Sequence, residues 1–441
     1  MEQTSKKKFI KHPKDIFFGW WMTLAGGLLC LWGYGYHAYG FSALFKPISQ
    51  ELGFSRTSTS VAASIARFEG GVEAPLVGWL SDRFGPKIVV MFGVFLIGLG
   101  LVLMNWVDSL WTFYLFWAVI CSTGTNIGLS MPLDVAIANW FNKKRGIATG
   151  IKWVFSGLSG TIGLPIVTAL IVIYGWRGAC VIGGLIMWGV GLPLVWFFIR
   201  THGPEHYGLL PDGISTESMS QDEIIQAGKD YVLNTGEVDM SPREAFRTSA
   251  FWLIIIAYSF HGALYPVMNI HCIPFLTDMG MSPVAAAATM SVYVTASIPA
   301  RFIGGIIVDR VGKNQIRFLL AGSFMMQCAG VTLFLFNQQS LPALYTFFVL
   351  YGFGMGALMP MTPVMRARYF GRKNFGVIAG MSRALHTPVG IIGPILAGWI
   401  FDVTGSYLIA FIIFAVLLGI SSLIIMAAAP PKVNRAAAQM I

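Results

Sequence analysis

Apolar residues form long uninterrupted stretches along this chain, and polar residues gather in short clusters between them. Twelve of these stretches are long enough for a helix to cross a bilayer, which takes about 20 residues. Apolar and polar positions do not alternate within them, so they are predicted to be helices and not the strands of a barrel. The predicted spans are residues 17–45, 58–80, 88–106, 111–138, 147–174, 178–199, 250–277, 284–308, 316–337, 342–365, 375–401 and 407–428.

Composition supports an all-α polytopic membrane protein, since 55% of the residues are hydrophobic and 11% are charged. The formal net charge is +10, but Lys and Arg concentrate in alternate loops. This asymmetry predicts a multi-pass protein with both termini in the cytoplasm, in the plasma membrane, or in the inner membrane if the source is bacterial. The positive charge therefore indicates topology, and no nucleic-acid partner is expected. The basic start of the chain runs into a full-length span without a cleavage site, so no signal peptide is expected.

A polar stretch divides the spans into two sets of six. The predicted domains are an N-terminal bundle (1–199), a cytoplasmic linker (200–249) and a C-terminal bundle (250–441). The middle of the linker is acidic and rich in serine, so it is interpreted as a solvated tether. Near its end, Ser241 and Glu244 have the spacing of a capping box, which predicts a helix at the membrane surface.

The two halves repeat each other. "GWLSDRFGPK" follows span 2 and "GIIVDRVGKN" follows span 8, while "WFNKKRGIATG" follows span 4 and "YFGRKNFGVIAG" follows span 10. Two different motifs thus recur in the same order. Parallel six-helix repeats around a central pathway are a layout of secondary transporters.

These motifs carry a family resemblance. Gly-x-x-x-Asp-Arg-x-Gly after spans 2 and 8 resembles the cytoplasmic loop motif of the major facilitator superfamily. The resemblance to this superfamily covers essentially the whole chain. "GFSALFKPISQELGFSRT", "NWFNKKRGIATG", "REAFRTSAFW" and "IPARFIGGIIVDRVG" resemble the branch of monocarboxylate transporters and oxalate–formate antiporters. The resemblance implies twelve helices in two pseudo-symmetric bundles and alternating access.

The resemblance also implies the function. The chain is expected to be a secondary active transporter of a small organic anion, with a monocarboxylate as the expected substrate. Transport would be coupled to protons or to a counter-anion. The protein is expected to act as a monomer in the lipid bilayer, without enzymatic activity, cofactor or metal. The alternative is a facilitator that carries another organic solute or exports drugs.

A cytoplasmic gate is predicted at the repeated loops. Asp82 and Arg83 follow span 2, and Asp309 and Arg310 follow span 8. Their charges are expected to pair across the bundle when the cytoplasmic side is closed; the alternative is a topological anchor without a moving part. The superfamily resemblance also implies that Asp134 on span 4 pairs with Arg83.

Arg301 is the leading candidate for substrate binding. It precedes Asp309 by eight residues, which places it about 12 Å up the helix, near the middle of the membrane. A guanidinium matches a carboxylate with two parallel hydrogen bonds. The family's carboxylate-binding arginine falls on Arg301; a structural pair with Glu73 or another acid is the alternative. Eukaryotic monocarboxylate transporters have an aspartate one turn earlier, where this chain has Ser297.

Buried charges in span 2 are candidates for proton coupling. Glu69 and Glu73 share a helical face, whereas Arg67 lies on another. Glu73 is expected at nearly the height of Arg301. It is interpreted either as the coupling acid or as the structural partner of an arginine on a neighbouring helix.

Span 11 contains "MSRALHTP", with Arg383 and His386 as further buried-charge candidates. Antiporters of the oxalate type have a second cation near this point, and Ser382 occupies the matching position. Since one residue turns the side chain by about 100°, Arg383 is expected to face away from the pathway. Arg301 would then be the single cavity cation, which favours a monoanion. Lys152 on span 5 is expected to reach the cytoplasmic face.

Neutral polar residues on spans 1, 4 and 7 complete the predicted lining, although packing roles are the alternative. Histidines among them are also candidates for sensing pH. These residues are His37, Tyr39, Asn126, His261, Tyr265 and Asn269.

Overall fold

The computed structural model describes residues 16–54, 56–214, 219–234, 239–337 and 340–431. The regular structure of these residues is helical, and the membrane helices group into the twelve spans that the sequence predicts. Spans 1 to 6 make up the N half and spans 7 to 12 the C half.

Several spans of the N half consist of more than one helical segment. Span 1 comprises Phe18–Tyr34, Gly35–Tyr39 and Gly40–Leu52; span 2 comprises Arg56–Val72 and Ala74–Phe84; span 3 comprises Pro86–Leu103 and Met104–Trp106; span 4 comprises Leu110–Phe113, Tyr114–Cys121, Ser122–Leu129 and Met131–Trp140. Span 5 comprises Arg145–Leu158, Ser159–Gly163 and the first part of Leu164–Ile186; span 6 comprises the rest of that helix, Met187–Gly191 and Leu192–Phe198.

The spans of the C half are continuous helices. They are Ser249–Asp278, Pro283–Arg310, Ile316–Phe336, Leu341–Phe370, Phe375–Thr404 and Leu408–Ala427.

In the described part of the chain, eight helices are long and apolar enough to cross a membrane by themselves, fewer than the twelve spans. The difference arises because several spans are interrupted and one helix supplies two spans. One of the eight, Arg145–Phe198, turns at Gly175, whose φ is 70°, and so supplies both span 5 and span 6. Span 1 is interrupted by the π-helical turn Gly35–Tyr39. Spans 2 and 4 restart at Ala74 and Met131, each followed directly by a proline, which is favoured in the first turn of a helix because it has no amide hydrogen to donate.

Each half has its own apolar core. Tyr36 and Trp117 lie in the core of the N half, and Phe324 and Phe347 in the two clusters of the C half. A smaller cluster joins the halves and contains residues of spans 2 to 4 together with residues of spans 10 and 11. Its buried members are Val77, Val89, Ile127, Met131, Val135, Ala367, Phe375 and Ala379.

The four repeated loops lie at one end of the bundle, here named the motif end; the opposite end is the far end. Near the motif end the halves approach closely at two pairs of glycines. A Cβ on Gly78 would lie 2.1 Å from the carbonyl oxygen of Gly376, and one on Gly146 would lie 2.4 Å from that of Gly305. Spans 2 and 11, and likewise spans 5 and 8, therefore cross backbone against backbone, which side chains would prevent.

The surface helix predicted at the end of the linker is Pro242–Phe246. Its capping box is present: the Ser241 hydroxyl accepts the amide N–H of Glu244 at 3.3 Å, and the Glu244 carboxylate accepts that of Ser241 at 2.7 Å. The hydrogen bond from the Ser241 amide stabilises the ionised carboxylate and lowers the pKa of Glu244.

In the rest of the linker, the described residues (200–214, 219–234 and 239–240) are more ordered than the expected solvated tether. They contain the short turns Pro204–Tyr207 and Pro211–Gly213 and the helix Gln221–Asn234. Glu205 and Asp212 are 6% and 8% exposed. The expectation of a solvated tether was wrong for Asp212, because its carboxylate bonds to the loop between spans 4 and 5. Glu205 precedes the stretch to which that expectation applied, and it bonds to Arg372.

Candidate functional site

Arg301 lies on span 8 where it meets span 5, and it is 6% exposed. Its Nη1 donates to the carbonyl oxygen of Trp153 at 2.7 Å, and its Nη2 donates to the hydroxyl of Ser297 at 3.3 Å. Its Nε is buried without a partner. The described hydrogen bonds of Arg301 therefore go to neutral oxygens, and the alternative of a pair with Glu73 is not present. Ser297 supports the guanidinium where an aspartate would neutralise it.

A group of tyrosines lies along span 8 from this guanidinium. Tyr293 lies two turns from Arg301 on the same face of span 8, and it interacts electrostatically with Arg301, Tyr39, Tyr265 and Tyr351. The rings of Tyr293 and Tyr351 are 5.6 Å apart, and the Tyr351 hydroxyl is buried without a partner. Tyr39 and Tyr265, both predicted from the sequence, therefore lie near Tyr293; the two tyrosines of spans 8 and 10 were missed.

Arg383 reaches across the interface between the halves, so the expectation that it faces away from the pathway was wrong. Its Nη1 donates to the Ser130 hydroxyl at 3.0 Å and its Nη2 to the Asn126 side-chain oxygen at 3.1 Å, both on span 4. Ser382 is the residue that turns into the C half, where it is buried. The orientation of Arg383 was inferred from the family, whose second cation matches Ser382. In this chain the residue that faces span 4 is the next one, Arg383.

The acids of span 2 lie beside this contact. Glu69 accepts a hydrogen bond from the Thr123 hydroxyl, and Glu73 interacts with the side chains of Asn126 and Thr123 and with the charge of Arg383. One carboxylate oxygen of each acid is buried without a hydrogen-bond partner. Arg67 is exposed and does not join the cluster. The chain breaks its helix at Glu73, which precedes the segment that starts at Ala74.

A further arginine of the C half was missed by the sequence analysis. Arg366 on span 10 donates from Nη2 to the Ser382 hydroxyl at 3.2 Å, and its Nε is buried without a partner. It interacts electrostatically with Asp134 and Arg383. The prediction that Arg301 is the single cavity cation was therefore wrong. Arg366 and Arg383 also belong to the C half and face span 4 of the N half.

Asp134 pairs with Lys152 and not with Arg83. The Lys152 Nζ is 2.6 Å from the Asp134 carboxylate, and the two side chains are 0% and 12% exposed. Lys152 also lies over the Trp153 ring at 4.2 Å, so the expectation that it reaches the cytoplasmic face was wrong. Arg83 is exposed and lies over the ring of Trp79 at 5.1 Å. The helix carrying Asp134 turns the carboxylate inward, towards span 5.

The predicted gate aspartates bind helix N-termini of the opposite half. Asp82 accepts the amide N–H groups of residues 376–377 at 2.9 and 2.8 Å. Asp309 accepts those of residues 146–147 at 2.6 and 2.8 Å. A carboxylate at a helix N-terminus satisfies free amides and the helix dipole. The predicted pairing of charges across the bundle was wrong for Arg83 and Arg310, which are exposed: the aspartates bond to backbone amides of the opposite half, and Asp309 also lies 3.9 Å from Arg368 of its own half.

The histidines of the predicted lining, His37 and His261, and the buried-charge candidate His386 contact residues of their own halves. His37 stacks on a tryptophan of span 4 with ring centroids 5.7 Å apart. His261 Nε2 is 3.1 Å from the side-chain oxygen of Gln327. The His386 ring lies 6.3 Å from that of a tyrosine on span 7. Asn269 lies on span 7, but its side chain is outside the described part of the structure.

Comparison with known proteins places these features in a family. The profile described as Major Facilitator Superfamily matches residues 27–340 and 317–439. Monocarboxylate transporter 13 of Rattus norvegicus is 25% identical over 404 residues, which cover 91% of this chain and 87% of that protein. The oxalate:formate antiporter of Oxalobacter formigenes is 25% identical over 287 residues, which cover 64% of this chain and 62% of that protein.

Solved structures show the same fold. The proton:xylose symporter XylE matches with a TM-score of 0.71 at 14% identity, over 92% of this chain and 94% of that one. The human organic anion transporter MFSD10 matches with a TM-score of 0.68 at 13% identity, over 94% of this chain and 100% of that one. The fold comparison and the family match agree on two six-helix halves. The chain therefore belongs to the Major Facilitator Superfamily and is a multi-pass membrane transporter, not an enzyme.

Proposed function

We propose that this protein is a secondary active transporter that moves a small organic anion with a carboxylate group by alternating access. The observation that carries the proposal is Arg301. Its guanidinium is buried at the contact between the halves, its Nε has no partner, and its described hydrogen bonds go to neutral oxygens. A buried cation without a counter-ion is costly. A carboxylate entering between the halves would supply that counter-ion.

The surroundings of Arg301 suit a small carboxylate with a polar or short apolar body. Tyr39 of the N half and Tyr265 of the C half interact with Tyr293, two turns along span 8 from Arg301. Their hydroxyls could orient a substrate from opposite sides, and the flat rings would enclose an alkyl chain. The names of relatives such as Monocarboxylate transporter 13 favour a monocarboxylate. Arg366 and Arg383 supply positive charge for a second carboxylate, so the transport test described below includes both monocarboxylates and dicarboxylates.

Glu73 is the proposed coupling acid. It lies beside Arg383 at the contact between the halves, and one of its carboxylate oxygens is buried without a partner. Protonation of Glu73 would remove its attraction for the arginine, which could then release span 4. Binding of a proton would thus be linked to movement of the two halves. If exchange of anions is the mode instead, transport will not need this acid.

The structure corresponds, in this proposal, to the state closed at the motif end. The aspartate caps and the glycine crossings hold the halves together there. The motif end carries the basic loops, so we assign it to the cytoplasm and the protein to the plasma membrane. The halves are proposed to correspond to residues 1–199 and 250–441, joined by 200–249, and to work within one monomer.

Uptake into proteoliposomes tests this function. The purified protein is supplied with labelled acetate, lactate, pyruvate, a branched keto acid, oxalate and succinate. Each substrate is tested with an inward proton gradient, without a gradient, and with anion inside. Arg301→Gln is compared with Arg317→Gln, which removes a half-buried arginine at the motif end of span 9.

The proposal predicts uptake of at least one carboxylate by wild type and by Arg317→Gln, and its loss in Arg301→Gln. Uptake driven by the gradient indicates a symporter, whereas uptake dependent on internal anion indicates an exchanger. If folded wild-type protein takes up no anion of the panel, the assignment to organic anions is wrong. The substrate is then that of another branch, such as a neutral solute or a drug.

A further inference from the structure

The indole N–H of Trp153 on span 5 lacks an acceptor. Its Nε1 is buried and has no hydrogen-bond partner among the described residues. Other indoles inside the N half have one. Trp140 donates to the carbonyl oxygen of His202 at 3.0 Å, and Trp32 donates to that of Gly183 at 3.1 Å. An indole nitrogen can only donate, and leaving a buried donor unpaired is costly. The unpaired N–H therefore indicates a place where a ligand supplies the acceptor.

Trp153 is in direct contact with Arg301. The Arg301 Nη1 donates to the main-chain carbonyl oxygen of Trp153 at 2.7 Å. One turn further along span 5, Gly157 leaves room for the guanidinium, because a Cβ there would lie 2.8 Å from Nη1. The Nε of Arg301 is also buried and unpaired within the described part of the chain. Two unpaired donors thus belong to adjoining residues, one in each half of the protein.

A buried ion pair holds the ring of Trp153. The Lys152 Nζ lies 4.2 Å from the ring centroid, and it is 2.6 Å from the carboxylate of Asp134. A cation is attracted to the face of an indole, which leaves the N–H at the edge of the ring available to an acceptor. Asp134 also interacts electrostatically with Arg366 and Arg383 of the C half. The indole is therefore oriented before a ligand binds, which reduces the entropy lost on binding.

We propose that Trp153 binds the substrate together with Arg301: its indole N–H donates to one carboxylate oxygen while the guanidinium donates to the other. A carboxylate has two oxygens that accept hydrogen bonds, so it matches two donors on adjoining residues. The inference rests on the function proposed above. It narrows the substrate to an anion whose carboxylate can lie between spans 5 and 8, with one donor from each half.

Binding of carboxylates to tryptophan variants tests this role. Trp153→Phe keeps an aromatic ring beside Lys152 and removes the N–H. Trp188→Phe is the matched control, because the Trp188 Nε1 already donates to the carbonyl oxygen of Phe95 at 3.0 Å. Isothermal titration with acetate, lactate, pyruvate, the branched keto acid, oxalate and succinate identifies the acid that wild type binds best. For that acid, Trp153→Phe is expected to weaken the affinity about 10- to 100-fold, since a hydrogen bond to a charged group is lost. Trp188→Phe should keep wild-type affinity.

A spectroscopic measurement separates the loss of this hydrogen bond from an effect on packing. In protein labelled with ¹⁵N at the indole nitrogens, the N–H resonance of Trp153 is assigned by its absence in Trp153→Phe. Addition of the same acid should move this resonance downfield, because its proton enters a hydrogen bond, whereas the resonance of Trp188 should stay in place. The movement should be absent from Arg301→Gln over the same range of concentrations.

Two results would overturn the role of Trp153 alone. One is wild-type affinity in Trp153→Phe while Arg301→Gln loses binding, which leaves the proposed function intact. The other is a Trp153 resonance that does not move when the acid saturates the wild-type protein. If folded wild type binds no acid of the panel, the proposed function and this inference both fail.

Discussion

Gly305→Ala is predicted to destabilise the closed motif end without destabilising its helix. The added Cβ would lie 2.3 Å from the carbonyl oxygen of Gly146 and 2.9 Å from its carbonyl carbon. Both are backbone atoms, so no change of rotamer relieves the clash and spans 5 and 8 must move apart. Overpacking of this kind costs about 1–3 kcal/mol. Alanine also favours the helix by about 0.5–1 kcal/mol, but it does so in the open and closed states alike.

The steric term therefore alters the ratio of the two states, by about tenfold for ~1.4 kcal/mol. Val308 lies at the same crossing and is 0% exposed. In a variant without the native cysteines, Val308→Cys would react with a soluble maleimide only when the motif end opens, so the reaction rate measures opening. The rate is expected to rise about tenfold in Gly305→Ala, following the population of the open state.

Gly322→Ala is the matched control for this substitution. Gly322 lies within span 9, and a Cβ there has no described heavy atom within 4 Å. The control should keep the wild-type labelling rate and a melting temperature at least equal to that of wild type. Equal labelling rates in Gly305→Ala and Gly322→Ala, with both proteins folded, would refute the claim that the glycine crossing closes the motif end.

Further predictions concern the charged groups. Asp82→Asn and Asp309→Asn should each raise the same labelling rate, and to a similar degree, because each removes a carboxylate from a helix N-terminus; a large difference would contradict the equivalence of the repeats. Lys152→Met should destabilise the protein by about 3–5 kcal/mol, because it leaves Asp134 buried without its cation; thermal unfolding in detergent should show recovery when Asp134→Leu is added. Glu73→Gln should abolish the effect of a proton gradient on uptake while exchange between internal and external anion persists; retention of gradient-driven uptake would exclude Glu73 as the coupling acid.

The sequence was sufficient for the fold because bilayer thickness and backbone hydrogen bonding leave few options for long apolar stretches. The repeated motifs also located Asp82 and Asp309 at one end of the bundle. The partners of these aspartates could not be derived, because they are backbone amides at the start of a helix, and every residue type except proline carries such an amide. The glycines at 146 and 376 stand beside those amides, and they are the signal that was available.

The site residues were harder to place because helix ends and rotations decide them. Arg366 follows directly after the predicted end of span 10, so it was grouped with the basic loop; the helix continues to Phe370 and carries it inside. Arg383 was assigned the wrong face because position was transferred from a family pattern that differs by one residue. Lys152 was expected at the surface because a long lysine side chain can extend its charge to the cytoplasmic face; its pair with Asp134 keeps it buried instead.

The linker shows the limit of composition as evidence. Its acidic, serine-rich sequence is typical of a solvated segment. Asp212 and Asp239 nevertheless lie against backbone amides of two loops that are distant in the sequence. Composition cannot distinguish an acid that caps such a loop from one that faces water.

The central claim is that Arg301 binds the carboxylate, and equilibrium binding tests it most directly. Isothermal titration of the purified protein with the anion that is best transported measures the affinity of wild type, Arg301→Gln and the control Arg317→Gln. The account predicts wild-type affinity for the control and a loss of at least about 100-fold for Arg301→Gln, since a charge-assisted pair in a desolvated site is removed. Wild-type affinity in Arg301→Gln would contradict it.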